Sequence, residues 1–477
     1  MTVIAEARPT EGRSTRAPTL LQPLADFAHG LDLAQIPAEV LVQSRLNILD
    51  TIGCIAAGVG EADSRKLFAM ERRARRGPTA RVIGHAERFP IEAAARMNSY
   101  FGDVSEHNDL VGSHASIATL PAAMALAEQC GGTGADLLRA YISGTEIVTR
   151  LYLAYYAWKK PYMDVGIAPP GIINTIGAAA GNALLMGLDH AATLEAMAIG
   201  GGLAGWCPVG AVYDDGCSAK PLLHGAWPAG IAVLAARYAA GGMTGPVAVL
   251  EAPMGLFATL ATHYEASAIA DPGVWHLANP RRKFHAACGY THAGADALAA
   301  LYRKLGADAL AAAREIVIHV PFYTHRAVAK TAPPGTPTEA RFHLPYAAAL
   351  CALGEDGVRP DHGRDVAKWL ARADLRAMLG KIRVVVDERF THFEQCAVDV
   401  IAADGQVIRH EGTPPRGAPA NPMTAAMVEA KFRANVAGIL SDAEADDYIA
   451  MIAAIERLPD CDGLYRPFER AAALKGQ

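Results

Sequence analysis

The chain is short of charge and of aromatic rings. Of its 477 residues, 19% are charged and 7% aromatic. Its 44 basic and 49 acidic residues give a formal net charge of -5. They form no Lys/Arg stripe interleaved with aromatics, which argues against a nucleic-acid surface. The short run Arg72, Arg73, Arg75, Arg76 reads as a solvated helix end. The eight cysteines (Cys54, Cys130, Cys207, Cys217, Cys288, Cys351, Cys396, Cys461) are scattered, with no CxxC pair and no zinc-type spacing. In a chain this large that pattern points to reduced thiols and a cytoplasmic protein. No uninterrupted apolar run reaches the roughly 18 residues a membrane helix needs, so no membrane span is expected. Residues 1–17 hold Glu6 and Glu11 and no apolar signal core; a disordered tail is expected there.

What the chain has is apolar mass: 51% of residues, with 45 glycines and much alanine. The length predicts two or three domains. Small residues let helices approach closely, so a mainly helical body is expected. Apolar residues recur at helical spacing from Leu20 to about residue 270. The texture then changes. EIVIHVPFY (315–323) and KIRVVVDE (381–388) alternate as strands do, and CAVDVIAADGQVIRHEG (396–412) reads as a hairpin turning at Asp404-Gly405. PTEARFHLPYAAALCALGEDG reads as one helix between them, and helical spacing returns near Pro422. The predicted organisation is a helical domain from 18–270 and 421–477, with an α+β domain of 271–420 inserted.

The densest polar stretch is GDVSEHNDLVGSHASIATLP (102–121). Asp103, Glu106, His107, Asp109 and His114 fall within it, just before an apolar helix that Ser116 could cap. Ionisable groups this close shift one another's pKa values, as acid–base chemistry requires. At a helix start the dipole disfavours imidazolium, leaving His114 able to accept a proton. A solvated loop is the plainer reading. Lys220 and Lys283, in Gly-, Pro- and His-rich surroundings, are candidates for holding carboxylates. His224 follows Lys220 at the start of another apolar helix; Cys288 and His292 follow Lys283. For His292 and Tyr346, packing in the core is the reading the residues alone favour. The glycine clusters lack the preceding strand of a nucleotide-binding loop, no GxSxG motif occurs, and no metal triad stands out. These residues by themselves imply His/Lys/Asp chemistry on an anionic substrate, with no evident cofactor.

Six marks in order resemble the MmgE/PrpD family: LDTIGCIAAG (49–58), SEHNDLVGSHASIATLPAAMALAE (105–128), GIINTIGAAAGNALLMGLD (171–189), AKPLLHGAWPAG (219–230), KFHAACGYTH (283–292) and ARFHLPYAAAL (340–350). The resemblance covers roughly residues 20–470. It implies a large all-helical domain with a smaller α+β lid, a homodimer, a site between the domains, and no cofactor. It also implies chemistry at a carbon beside a carboxylate of a small di- or tricarboxylate, as a dehydratase or decarboxylase. An epimerase or isomerase of a dicarboxylate is the alternative, and a non-catalytic carboxylate-binding homologue a third.

On this resemblance Lys220 and Lys283 hold substrate carboxylates, with His107, His224, Cys288 and His292 also lining the substrate. His114 moves the proton, Asp109 or Glu106 orients it, and Tyr346 is the acid. The sequence departs from the family pattern in four places. Ala115 replaces a proline, and Leu110 stands where many members have Thr. The Asp109–His114 loop is about two residues short. Ala168 stands where decarboxylase-type members have a histidine that His107 would have to replace in space.

Overall fold

The computed structural model describes residues 18–74, 77, 79–213, 216–271 and 273–474. The expected N-terminal tail, with Arg75 and Arg76, lies outside them. The fold is mainly helical, as composition and apolar spacing predict.

Helices α1 (Leu21–Gly30), α2 (Ala38–Gly58), α3 (Ala62–Ala74), α4 (Ile91–Asp103), α5 (Ser116–Cys130), α6 (Gly134–Tyr156), α7 (Pro170–Leu185), α8 (His190–Leu203) and α9 (Trp227–Ala240) build the first body. Their small residues work as the composition suggests. A Cβ on Gly144 of α6 would come within 2.8 Å of the carbonyl oxygen of Gly177 on α7, so only glycine lets these backbones meet. Asp189 caps α8 by accepting from the Ala192 N–H at 2.7 Å. Helix α2 is long and apolar enough to cross a bilayer by length and composition, but two thirds of its apolar window is buried here. It packs between α4 and α12 (Ala425–Val436).

The α+β part contains α10 (His292–Leu305), α11 (Leu344–Ala352) and four strands: β1 (Glu315–Val320), β2 (Ile382–Val386), β3 (Ala397–Ile401) and β4 (Val407–Glu411). The sheet order is β2-β1-β3-β4. β1 runs parallel to β2 and antiparallel to β3, and β3 and β4 form the expected hairpin. Gly405 at its turn has φ +90°. Helices α10 and α11 pack together over the sheet around Leu298, Ile316, Ile318, Leu350 and Val398. The segment 337–357 is not one helix. A short helix, Pro337–Arg341, stops, and α11 starts afresh after His343, whose Nδ1 accepts from the Tyr346 N–H at 3.0 Å. Pro345 supplies the break, since its ring cannot continue a preceding helix.

The C-terminal helices α12 and α13 (Asp442–Ala453) return to the first body. Phe432, Val436, Tyr448 and Ile452 join the same core as Ile48, Ile52 and Phe101.

Candidate functional site

The 102–116 stretch leaves the end of α4 and folds into a tight, buried loop. Glu106, Ser113 and His114 are the non-glycine residues with positive φ among the described residues, at +54°, +80° and +67°. Backbone strain of this kind costs on the order of 1–3 kcal/mol per residue and persists only where surrounding structure enforces it. Gly112 explains part of the enforcement. It has φ +46°, and a Cβ there would meet Thr149 Oγ1 at 2.5 Å and Thr149 Cα at 2.6 Å. The loop is therefore pressed onto α6.

At its centre lies Glu106, 3% exposed, between two buried lysines. Lys283 Nζ donates to Glu106 Oε2 at 2.5 Å and to its carbonyl oxygen at 3.1 Å. Lys220 Nζ pairs with Glu106 Oε1 and, at 2.6 Å, with Asp103 Oδ1. Burial pushes the Asp103 carboxyl up. Burial acts the same way on Glu106, yet Lys220 and Lys283 hold it well below the usual carboxylate range. Lys220 loses charge stability to burial, but Asp103 and Glu106 more than restore it and raise its pKa. The cluster opens on a cleft lined by Tyr100, Asp103, Glu106, Lys220, Arg341 and Phe342. Thr338 and Phe342 also line a cavity of about 150 Å³ beyond it.

Two imidazoles stand beside the lysines. His114 and His224 have ring centroids 5.8 Å apart. Burial lowers both pKa values well below the ordinary value, and the lysine charges add to it. Neither Glu106 nor Asp109 orients His114 by a hydrogen bond. The neighbour is Asn108, whose Nδ2 donates to His114 Nδ1 at 2.9 Å and so leaves the ring proton on Nε2. Asp109 turns the other way. Ser116 Oγ donates to Asp109 Oδ2 and lies 2.8 Å from the Tyr141 hydroxyl. Ser116 therefore sits inside the first turn of α5 and does not cap it: the buried carboxylate is the stronger acceptor and takes the hydroxyl. Burial raises Asp109 to about 7 despite the Ser116 bond.

The segment carrying Lys220 and His224 is not a plain helix start. Leu222–Ala226 forms a wide π-type turn before α9. Pro228 accounts for it: it has no N–H and cannot bond the His224 carbonyl four residues back. That carbonyl accepts instead from Asn174 Nδ2 at 3.0 Å, and the same amide reaches the His114 carbonyl at 3.2 Å. Asn174 in α7 was not among the candidates; an amide in a largely apolar helix, which Asn182 shares, was the available signal. Lys431 of α12 is a second residue the motifs missed. Its Nζ bonds the carbonyls of His107 at 2.6 Å and Lys283 at 2.8 Å, and pairs with Asp50 at 2.8 Å. It ties the polar loop to the Lys283 segment from behind.

The remaining candidates are placed less centrally. His107 Nε2 bonds the Phe284 carbonyl at 3.3 Å and lines a separate cleft with Lys431 and Arg359, so it is not turned to the space beside His114. Cys288 is buried near the cluster; burial, then the Glu106 charge, pushes its thiol up to about 12. His292 Nε2 bonds the Ala287 carbonyl at 3.1 Å, and its ring meets His285 edge-on, a packing role. Tyr346 is not delivered as an acid. Its hydroxyl donates to the His362 carbonyl at 2.8 Å, within the core of the α+β part. Ala168 is buried, and its N–H donates to the Cys207 carbonyl at 2.9 Å.

Known proteins match this chain along most of its length. A cis-aconitate decarboxylase of Mus musculus is 25% identical over 94% of this chain and 93% of its own, and one of Homo sapiens is 26% identical over 94% of each. A cis-aconitate decarboxylase of Aspergillus terreus is 28% identical over 59% of this chain and 60% of its own. The MmgE/PrpD N-terminal domain matches residues 22–268 and the MmgE/PrpD C-terminal domain residues 285–457. The first match contains the strained loop, Asn174, Lys220 and His224, and the second begins just after Lys283. With both domain types present in order around one buried cluster, the chain belongs to the MmgE/PrpD family.

Proposed function

We propose that the chain is a lyase that removes CO2 or water from a small di- or tricarboxylic acid of the aconitate or methylcitrate type. The observation that carries this reading is Glu106 held between Lys220 and Lys283, with neutral imidazoles beside it. Buried lysines that already hold one carboxylate are suited to hold those of a substrate and to stabilise the enolate-like charge that develops beside one. His114 is the proton-transfer residue: when the Asn108 amide turns so that its oxygen, buried without a partner, accepts from Nδ1–H, the ring proton leaves Nε2 and that nitrogen acts as the base. The names of the decarboxylase relatives favour the same reaction class.

An epimerase needs proton carriers on both faces of one carbon. The Tyr346 hydroxyl expected opposite His114 is committed to His362, and the relatives that match this chain are named decarboxylases, so the lyase reading is preferred. Purified protein incubated with methylcitrate, cis-aconitate, citrate and iminodisuccinate, followed by NMR, tests it. Release of water or CO2 from one of the first three supports the lyase. Deuterium wash-in at the α-carbon without either loss supports the epimerase. Tight binding without turnover marks a binding protein.

A further inference from the structure

His224 is 4% exposed, and neither of its ring nitrogens has a hydrogen-bond partner. Among the buried histidines, His107, His285, His292, His343 and His362 each spend at least one nitrogen on a protein partner. Leaving a buried donor and a buried acceptor both unmet costs on the order of 1–3 kcal/mol each, so such a group calls for an explanation.

Its setting is built. The π-type turn places it four residues after Lys220. A Cβ on the adjoining Gly225 would meet Ser99 Oγ at 2.5 Å and Ile117 Cδ1 at 2.8 Å, so the turn is clamped against α4 and α5. Asn174 holds the His224 and His114 carbonyls together, and the rings lie 5.8 Å apart. Asn174 Oδ1 and Asn108 Oδ1 are also buried without a partner. The idle polar atoms thus include both nitrogens of one imidazole and amide oxygens on residues bonded to its neighbour.

We propose that His224 is a second proton-transfer residue of this site, working beside His114 on the same bound acid. The proposal rests on the polycarboxylate lyase reading. The carboxylates of a bound acid favour imidazolium, so His224, neutral in the empty site, takes up a proton from solvent as the acid binds. In a dehydration, His114 takes the proton from the carbon, the electron pair becomes the C=C bond, and hydroxide leaves as water with that His224 proton. In a decarboxylation, the C–C bond to one carboxylate breaks and CO2 leaves without the pair. That pair takes the His224 proton to form a C–H bond, and solvent re-protonates the ring.

The test uses the full chain labelled with 15N-histidine and the inert tricarboxylate tricarballylate. The His224 resonances are identified by their loss in H224Q or H224N. The proposal expects tricarballylate to shift the His224 ring nitrogens. It also expects H224Q to lose about 100-fold or more in kcat on the substrate found above, with KM changed by less than about threefold. Binding that leaves the His224 signals unmoved, or H224Q with wild-type kcat, overturns the proposal alone. Tricarballylate that shifts no histidine overturns the polycarboxylate reading and this proposal with it. If neither variant folds, His224 is a structural residue and the proposal falls.

Discussion

Lys283 Nζ lies 2.5 Å from Glu106 Oε2, a contact between residues 177 apart in the chain that closes the α+β part onto the helical body. Both side chains are buried, at 0% and 4% exposure. Removing one partner of such a pair strands the other charge, at a cost of about 3–5 kcal/mol. Lys283→Met is therefore expected to lower unfolding free energy in urea by about 3 kcal/mol. Lys283→Met with Glu106→Gln is expected to recover most of that stability and none of the turnover. A double variant as unstable as the single one counts against the pairing.

His114→Ala is expected to abolish turnover and leave the helical CD spectrum intact. Asn108→Asp probes the same ring more gently. A carboxylate in place of the donating amide favours imidazolium, so the neutral base forms at higher pH. The acidic limb of the kcat/KM profile should move up. An unchanged limb would show that His114 is not the group being titrated.

Asp109 gives a pH dependence of stability with a defined sign. Its folded pKa, about 7, lies above the ordinary 3.8, so the folded chain keeps a proton that the unfolded chain releases. Stability is full below pH 3.8, falls as pH rises toward 7, and stays reduced above. At about 1.4 kcal/mol per pH unit the loss is on the order of 4 kcal/mol. Asp109→Asn keeps an acceptor for Ser116 without the charge. Its thermal stability relative to wild type should improve between pH 4 and pH 7 and level off above. A constant difference would contradict the raised carboxyl.

Gly112→Ala meets two obstacles, a φ of +46° and the Thr149 backbone N only 2.8 Å from the new methyl. The loop carrying Glu106 and His114 must shift. A loss of about 2 kcal/mol or more is expected, together with a fall in kcat larger than that of Ser113→Gly. Wild-type activity in Gly112→Ala would show that the loop's tight seat on α6 is not needed.

The helices and the hairpin were legible because each is a local pattern: apolar spacing, turn chemistry, alternation. Three local readings failed: the 337–357 stretch is broken ahead of Pro345, and contacts with other segments bear on the other two. Ser116 was expected to cap α5, but Asp109 claimed its hydroxyl. The Lys220–Trp227 stretch read as a helix start, but Pro228 and Asn174 together make it a π-type turn.

Residue types and order were enough to mark Glu106, His114, Lys220 and Lys283 as candidates, because ionisable groups in apolar surroundings stand out in one dimension. Which of them meet is a matter of three. Only the fold puts Glu106 between two lysines, gives His114 to Asn108 and not to Asp109, removes Tyr346 to the His362 carbonyl, and leaves His224 without a partner. The physical reason is that burial sets the cost of every unpaired charge and dipole. Burial is decided by contacts between segments, such as the Lys431 bonds to His107 and Lys283, that no spacing within a segment encodes.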